Sequence, residues 1–171
     1  MNFLSWLPLE QLFFLFPVAV TLHNLEEAAL LPDWWQNAGR WHTPVEKIPF
    51  RFAVLILTLL AYVFTYFGVI GGKQSIGVYL LSGYALIMLV NVFFPHLLAA
   101  IWLRRYVPGL ATGLVLNLPV CSALLFSFLK NGYVSPWRLF ITGVIFMGAV
   151  LILIRVLLKL GEEVEKTFWS A

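Results

Sequence analysis

The sequence predicts an all-helical, polytopic membrane protein: one bundle of five transmembrane helices, with the N-terminus outside and the C-terminus inside. Three observations carry that expectation. The 171 residues are 61% apolar and 11% charged, with a mean hydropathy of +0.91, whereas a soluble domain is about half apolar and a quarter charged. Five stretches are long enough to cross the hydrocarbon core, which takes about 20 mostly apolar residues. The basic residues, finally, divide unevenly between the two sides that those stretches define.

The first span, about 8–31, contains "LFFLFPVAVTLHNLEEAAL". It lacks the basic start and small-residue cleavage site of a secretory leader and is too long for one, so it is expected to stay as a helix. "PDWWQNAGRWHTPVEKIP" follows, with Trp34, Trp35 and Trp41 alternating with charge, as in a segment lying at the lipid–water boundary. The second span covers about 50–71 and the short connection "GGKQS" leads to the third, about 76–103. There Pro95 lacks the amide proton that would bond the carbonyl of Asn91, so a kink is expected. After "RRYVP" the fourth span, about 109–129, carries Gly109, Gly113 and Asn117 at intervals of four, a small-residue face suited to close helix packing. "KNGYVSP" leads to the fifth span, about 137–160. No internal repeat is visible, so the chain reads as a single domain over 1–171 without the plan of an inverted-repeat transporter.

With the N-terminus outside, Arg40, Lys47, Arg51, Arg104, Arg105, Arg155, Lys159 and Lys166 are cytoplasmic, leaving Lys73, Lys130 and Arg138 outside. The opposite topology inverts that bias. The net charge of +3 therefore reports topology; eleven bases spread through apolar segments make no phosphate-binding face, and nucleic acid is excluded as a partner. Cys121 is the single cysteine, which rules out an intramolecular disulfide or a thiolate metal cage.

Polar side chains within the spans concentrate at one depth. At 1.5 Å per residue, Glu26 and Glu27 lie ~7 Å and His23 ~12 Å from the cytoplasmic end of the first span, His96 ~10 Å and Asn117 ~12 Å from that side, and Arg155 ~7 Å. His23, Glu26 and Glu27 are spaced i, i+3, i+4, so both carboxylates flank the imidazole. Each carboxylate at mid-membrane costs ~2.5–3.5 kcal/mol against ~0.5 gained per Leu or Phe, and intramembrane ionisable groups mark functional sites by default. The plain alternative has the glutamates reaching the interface or pairing with Arg104, Arg105 or Arg155. His23, Glu26, Glu27, His96 and Asn117 are expected to line one cavity open to the cytoplasmic leaflet.

His23-x-x-Glu26-Glu27, Asn91 with His96 beyond it, and Gly113-x-x-x-Asn117 resemble, in order, the motifs of the HXXEE family of small bacterial integral membrane proteins. The resemblance covers roughly 10–160. It implies a bacterial inner-membrane location and supports the site more than any activity, because the family has no established reaction.

Two imidazoles, carboxylates and an amide suit a divalent transition metal, Zn²⁺, Fe²⁺ or Mn²⁺, with positions left for water or substrate. The first reading is a membrane-embedded metal-dependent enzyme, a hydrolase or oxidoreductase, acting on a lipidic or amphipathic small molecule from the cytoplasmic leaflet. His23, Glu27 and His96 would hold the metal, Glu26 would be general base or orient a ligand, and Asn117 would polarise the substrate, with Asn91 and Arg155 as further candidates. A metal-free acid/base enzyme, a proton-coupled or small-molecule transporter, and an accessory membrane subunit with a structural polar layer are the alternatives. Membrane lipids are the expected surroundings, and a homo-oligomer is compatible with everything above.

Overall fold

The computed structural model describes residues 7–36 and 46–169. They form five long helices: α1 (Leu9–Gln36), α2 (Lys47–Gly71), α3 (Ile76–Leu103), α4 (Leu110–Lys130) and α5 (Pro136–Trp169). Each is long and apolar enough to cross a membrane.

α1 runs further than its hydropathy suggests. Pro32 should end it, since proline cannot donate to the carbonyl four residues back. That carbonyl, on Ala28, instead accepts Nε of Arg51 from α2 at 3.1 Å, and the helix continues to Gln36. Trp34 and Trp35 are thus helical, not part of a boundary loop; Arg40 and Trp41 lie outside the described residues. α5 likewise runs past residue 160, carried by the charged stretch "GEEVEK", whose good helix formers continue the helix to its end at Trp169.

α2 packs along α1, α3 and α5, while α4 packs on α1 and α3 from the other side. The densest core lies towards the start of α1, where Leu12, Phe16 and Val20 meet Leu81 and Ala85 of α3 and Leu124 of α4. Phe16 stands edge-on to Tyr84, with centroids 6.0 Å apart. In lipid such contacts hold helices by close fit rather than by expulsion of water. Backbones approach closely where they can: a side chain at Gly77 would strike the carbonyl of Phe67 on α2.

Two helices are interrupted at the opposite end. In α3 the helix breaks within Val92–Leu97, where the backbone leaves helical geometry at Phe94 (φ −134°, ψ 116°), beside a cis Phe94–Pro95 bond. The expected kink next to Pro95 is present. In α4 a π-turn spans Gly113–Asn117, just before Pro119, which withholds its donor from the carbonyl of Val115. Such turns occur mostly as single insertions and often beside functional sites. The break in α3 and the π-turn in α4 touch each other.

Candidate metal centre

His23 and Glu27 lie one turn apart on α1, which sets His23 Nε2 3.5 Å from Glu27 Oε1. The break in α3 brings His96 to the same carboxylate oxygen, with Nε2 at 2.8 Å. The two rings meet edge to face, with centroids 5.3 Å apart. One atom from each of His23, Glu27 and His96 lies within 4.8 Å of the others. Asn91 closes the group, its side-chain Nδ2 standing 3.1 Å from Nε2 of both histidines. Both imidazoles are buried.

Glu26 points elsewhere. Its Oε1 accepts the hydroxyl of Tyr106 and the amide of Gly109 at 2.7 Å. Its Oε2 accepts the amide of Thr112 at 3.0 Å and the Thr112 hydroxyl at 2.5 Å. A carboxylate from α1 thus caps α4, satisfying free amides of its first turn where the helix dipole favours negative charge. Tyr106 lies between α3 and α4, where burial and then the Glu26 carboxylate push its phenol up to about 12. It keeps its proton and stays a donor.

This cap also orients His23. A carboxylate has no proton to give, so the Thr112 hydroxyl donates to Glu26, and its oxygen accepts the proton on His23 Nδ1 at 3.2 Å. In the neutral ring this leaves the lone pair on Nε2, where the Asn91 amide can donate to it. Hydrogen bonding through the remote ring nitrogen is how metal-binding histidines are held in one tautomer.

Gly109 is required by the same arrangement. Its φ of +90° lies in the left-handed region, and a Cβ there would sit 2.6 Å from His96 Cε1. At Gly113 a Cβ would meet Val92 at 3.3 Å and His23 Cε1 at 3.7 Å. The small residues of α4 let backbone approach both imidazoles.

A cavity of about 740 Å³ opens beside this group, with Glu27, Asn91 and His96 in its lining. The rest of its wall is almost wholly apolar and aromatic, including Trp34, Phe50 and Trp102. Of the five residues expected to share one cavity, Glu27 and His96 do. His23 stands behind them, Glu26 is turned to α4, and Asn117 is fully buried, with no hydrogen-bond partner among the described residues for either side-chain polar atom. Arg155 is exposed and is not among the lining residues, although it lies one turn from the lining residues Leu151 and Leu158 on α5. Thr112, Tyr106 and Asn24 were not marked by the sequence; Asn24, one turn before Glu27, lines the cavity and donates to Thr58 of α2 at 2.7 Å.

The donor set fits a borderline divalent ion. Two imidazole nitrogens and a carboxylate oxygen suit Zn²⁺, Fe²⁺ or Mn²⁺. The separations of 2.8 and 3.5 Å are those of ligands that could share an ion at ~2.0–2.2 Å. His23 has the outer partner that a ligand imidazole needs, whereas Nδ1 of buried His96 has none among the described residues.

Residues 14–124 match a family described as a protein of unknown function with HXXEE motif. An uncharacterized protein, YrkK, of Bacillus subtilis (strain 168) is 40% identical over 152 residues, covering 88% of this chain and 95% of that relative. No solved structure matches the chain. The matched segment contains His23, Glu26, Glu27, Asn91, His96 and Asn117 together, and the chain belongs to the HXXEE family.

Proposed function

We propose that this protein is a membrane-embedded, metal-dependent enzyme acting on a lipidic or amphipathic small molecule. The supporting observation is the convergence of His23 Nε2, His96 Nε2 and Glu27 Oε1 beside a large apolar cavity. A divalent cation held there would supply Lewis-acid polarisation of a carbonyl or hydroxyl group.

The chain's own residues have distinct tasks in this reading. His23, His96 and Glu27 hold the ion, and Asn91, within 3.1 Å of both imidazoles, lies close enough to hydrogen-bond a substrate oxygen beside them. Glu26 acts as a positioning residue through Thr112 rather than as general base, because four donors already occupy its oxygens. Asn117, expected to polarise the substrate, is buried outside the cavity lining and is given no contact with the substrate in this reading. The apolar walls exclude water and strengthen every charge interaction inside. With the N-terminus outside, as the basic residues argue, the centre serves the cytoplasmic leaflet of the bacterial inner membrane.

A proton-coupled carrier is the second reading, favoured by the run of hydrogen bonds from Tyr106 through Glu26 and Thr112 to His23. The opposite half weakens it. Among the described residues the buried polar side chain there is Ser82, bonded to the carbonyl of Val78.

Metal content decides between them. Protein purified without chelator should hold about one divalent transition-metal ion per chain, and His23→Ala and His96→Ala should lose it. Asn117→Ala should retain it. Metal-free wild type whose melting temperature responds to added Zn²⁺, Fe²⁺ or Mn²⁺ no more than the double histidine variant sinks the metal reading.

A further inference from the structure

The cavity opens sideways. Phe94, Leu98 and Trp102 of α3 and Leu151 of α5 line it, yet they are 65, 50, 68 and 56% exposed. Over Ile76–Asn91, α3 packs closely on α5; past the break at Phe94 the last turns make no comparable packing on that helix. The gap between them is walled by side chains that in a membrane face acyl chains. Such an opening would admit an occupant from the bilayer rather than from water.

The polar end of the cavity is equally specific in charge. Among the described residues its lining holds no lysine or arginine, although Arg105 lies over the ring of Trp34, and it holds one carboxylate, Glu27, already 2.8 Å from His96. Of the aromatic donors in the lining, Tyr84 and Trp34 bond the carbonyls of Leu57 and Tyr106. Beside the carbonyl of Asn24, whose amide nitrogen donates to Thr58, the Asn91 amide, the His96 ring and the Glu27 carboxylate can meet a ligand, all of them capable of hydrogen bonding to an uncharged group. A phosphate head would lie desolvated beside a carboxylate with no lysine or arginine among the described lining residues to pair it, a costly arrangement in low dielectric. At about 740 Å³ the space lies in the upper part of the ~300–1,000 Å³ range of small-molecule pockets.

We propose that the cavity binds the apolar chain of a lipid whose head is uncharged and hydrogen-bonding, an alcohol, aldehyde or ester, and that this head meets Asn91, His96 and Glu27. The inference rests on the cavity being the substrate site, and not on the metal.

Native mass spectrometry of the full chain in mild detergent with chelator tests it, because without a cation an anionic head cannot borrow one. The probes are hexadecanol, hexadecylamine and hexadecyl phosphate, offered in equal amounts. Retention of the alcohol should exceed that of the phosphate by at least about tenfold, the equivalent of ~1.4 kcal/mol. Ala99→Phe, which fills the cavity from α3, should lower alcohol retention at least about fivefold; Ala53→Leu, a smaller change from α2, gives the same test if the first variant does not fold. Equal retention of phosphate and alcohol, or a preference for the amine, overturns the uncharged head while the cavity stays the binding site. Alcohol retention unchanged by both filling variants overturns the cavity as a substrate site altogether.

Discussion

Glu26 and Glu27 are neighbours in the chain with opposite partners: Glu27 Oε1 lies 2.8 Å from His96 Nε2, while Glu26 Oε1 accepts the amide of Gly109 at 2.7 Å. A helix turns about 100° per residue. Adjacent carboxylates can therefore serve two helices at once, one at the candidate centre and one at the cap of α4.

The two glutamates should fail differently. Glu26→Gln removes charge-assisted hydrogen bonds worth ~1.5–3 kcal/mol each before partial compensation by the amide, so metal-free protein should melt several degrees lower. Glu27→Gln should leave the metal-free melting temperature nearer to wild type and remove most retained metal. Identical effects of the two changes on both readouts would contradict the division of roles.

Thr112 should control His23 without touching the cavity. Thr112→Val keeps the shape but loses the acceptor for His23 Nδ1–H, whereas Thr112→Ser keeps it. Metal affinity should fall ~10–100-fold in the valine variant, the usual cost of losing a ligand's outer partner, and recover in the serine variant. Nitrogen NMR of labelled histidine should show the Nδ1–H tautomer of His23 in wild type and a mixture in Thr112→Val. An unchanged tautomer in that variant would remove Thr112 from the argument.

Tyr106 should make the cap sensitive to alkali and indifferent to acid within its own titration. Its folded pKa, about 12, is above the ordinary ~10 of an unfolded chain. Between those values the unfolded chain has lost a proton that the folded protein keeps, so stability falls as pH rises from about 10 to about 12 and is fully present below about 10. Ultraviolet titration of tyrosinate should show a late component near 12 that is absent in Tyr106→Phe. A late component that persists in the variant belongs to another tyrosine.

The topology inferred from basic residues should be visible from outside intact cells. Ser75→Cys, in the connection after α2, should label with an impermeant thiol reagent, and Ser170→Cys should not. Cys121 is buried and gives little background. The reverse labelling pattern would place the centre towards the outer leaflet.

Much of this was legible in the residues alone. Uninterrupted apolar length marks membrane helices because every backbone polar group must be satisfied within the lipid, and all five were foreseen. The ends were less visible: α1 passes Pro32, and Arg51, far along the chain, donates to the carbonyl of Ala28 that Pro32 leaves free. His23, Glu27 and His96 stood out because ionisable groups are rare and costly within such helices.

Their partners did not stand out. Thr112 looks like any hydroxyl in a membrane helix, and Tyr106 like any aromatic residue at its end; what gives them a role is that both donate to Glu26. Asn117, expected in the cavity, is buried outside its lining: that expectation rested on depth, which leaves the direction of a side chain around its helix open, and the π-turn over Gly113–Asn117 resets that direction. By itself the sequence determined the class, the five helices and the polar layer, all of which follow from local composition and the solvent properties of the bilayer. The tertiary structure alone decided which carboxylate faces the histidines, which hydroxyl orients His23 and where the cavity opens, because each depends on contacts between residues more than 60 positions apart whose meeting no local pattern encodes.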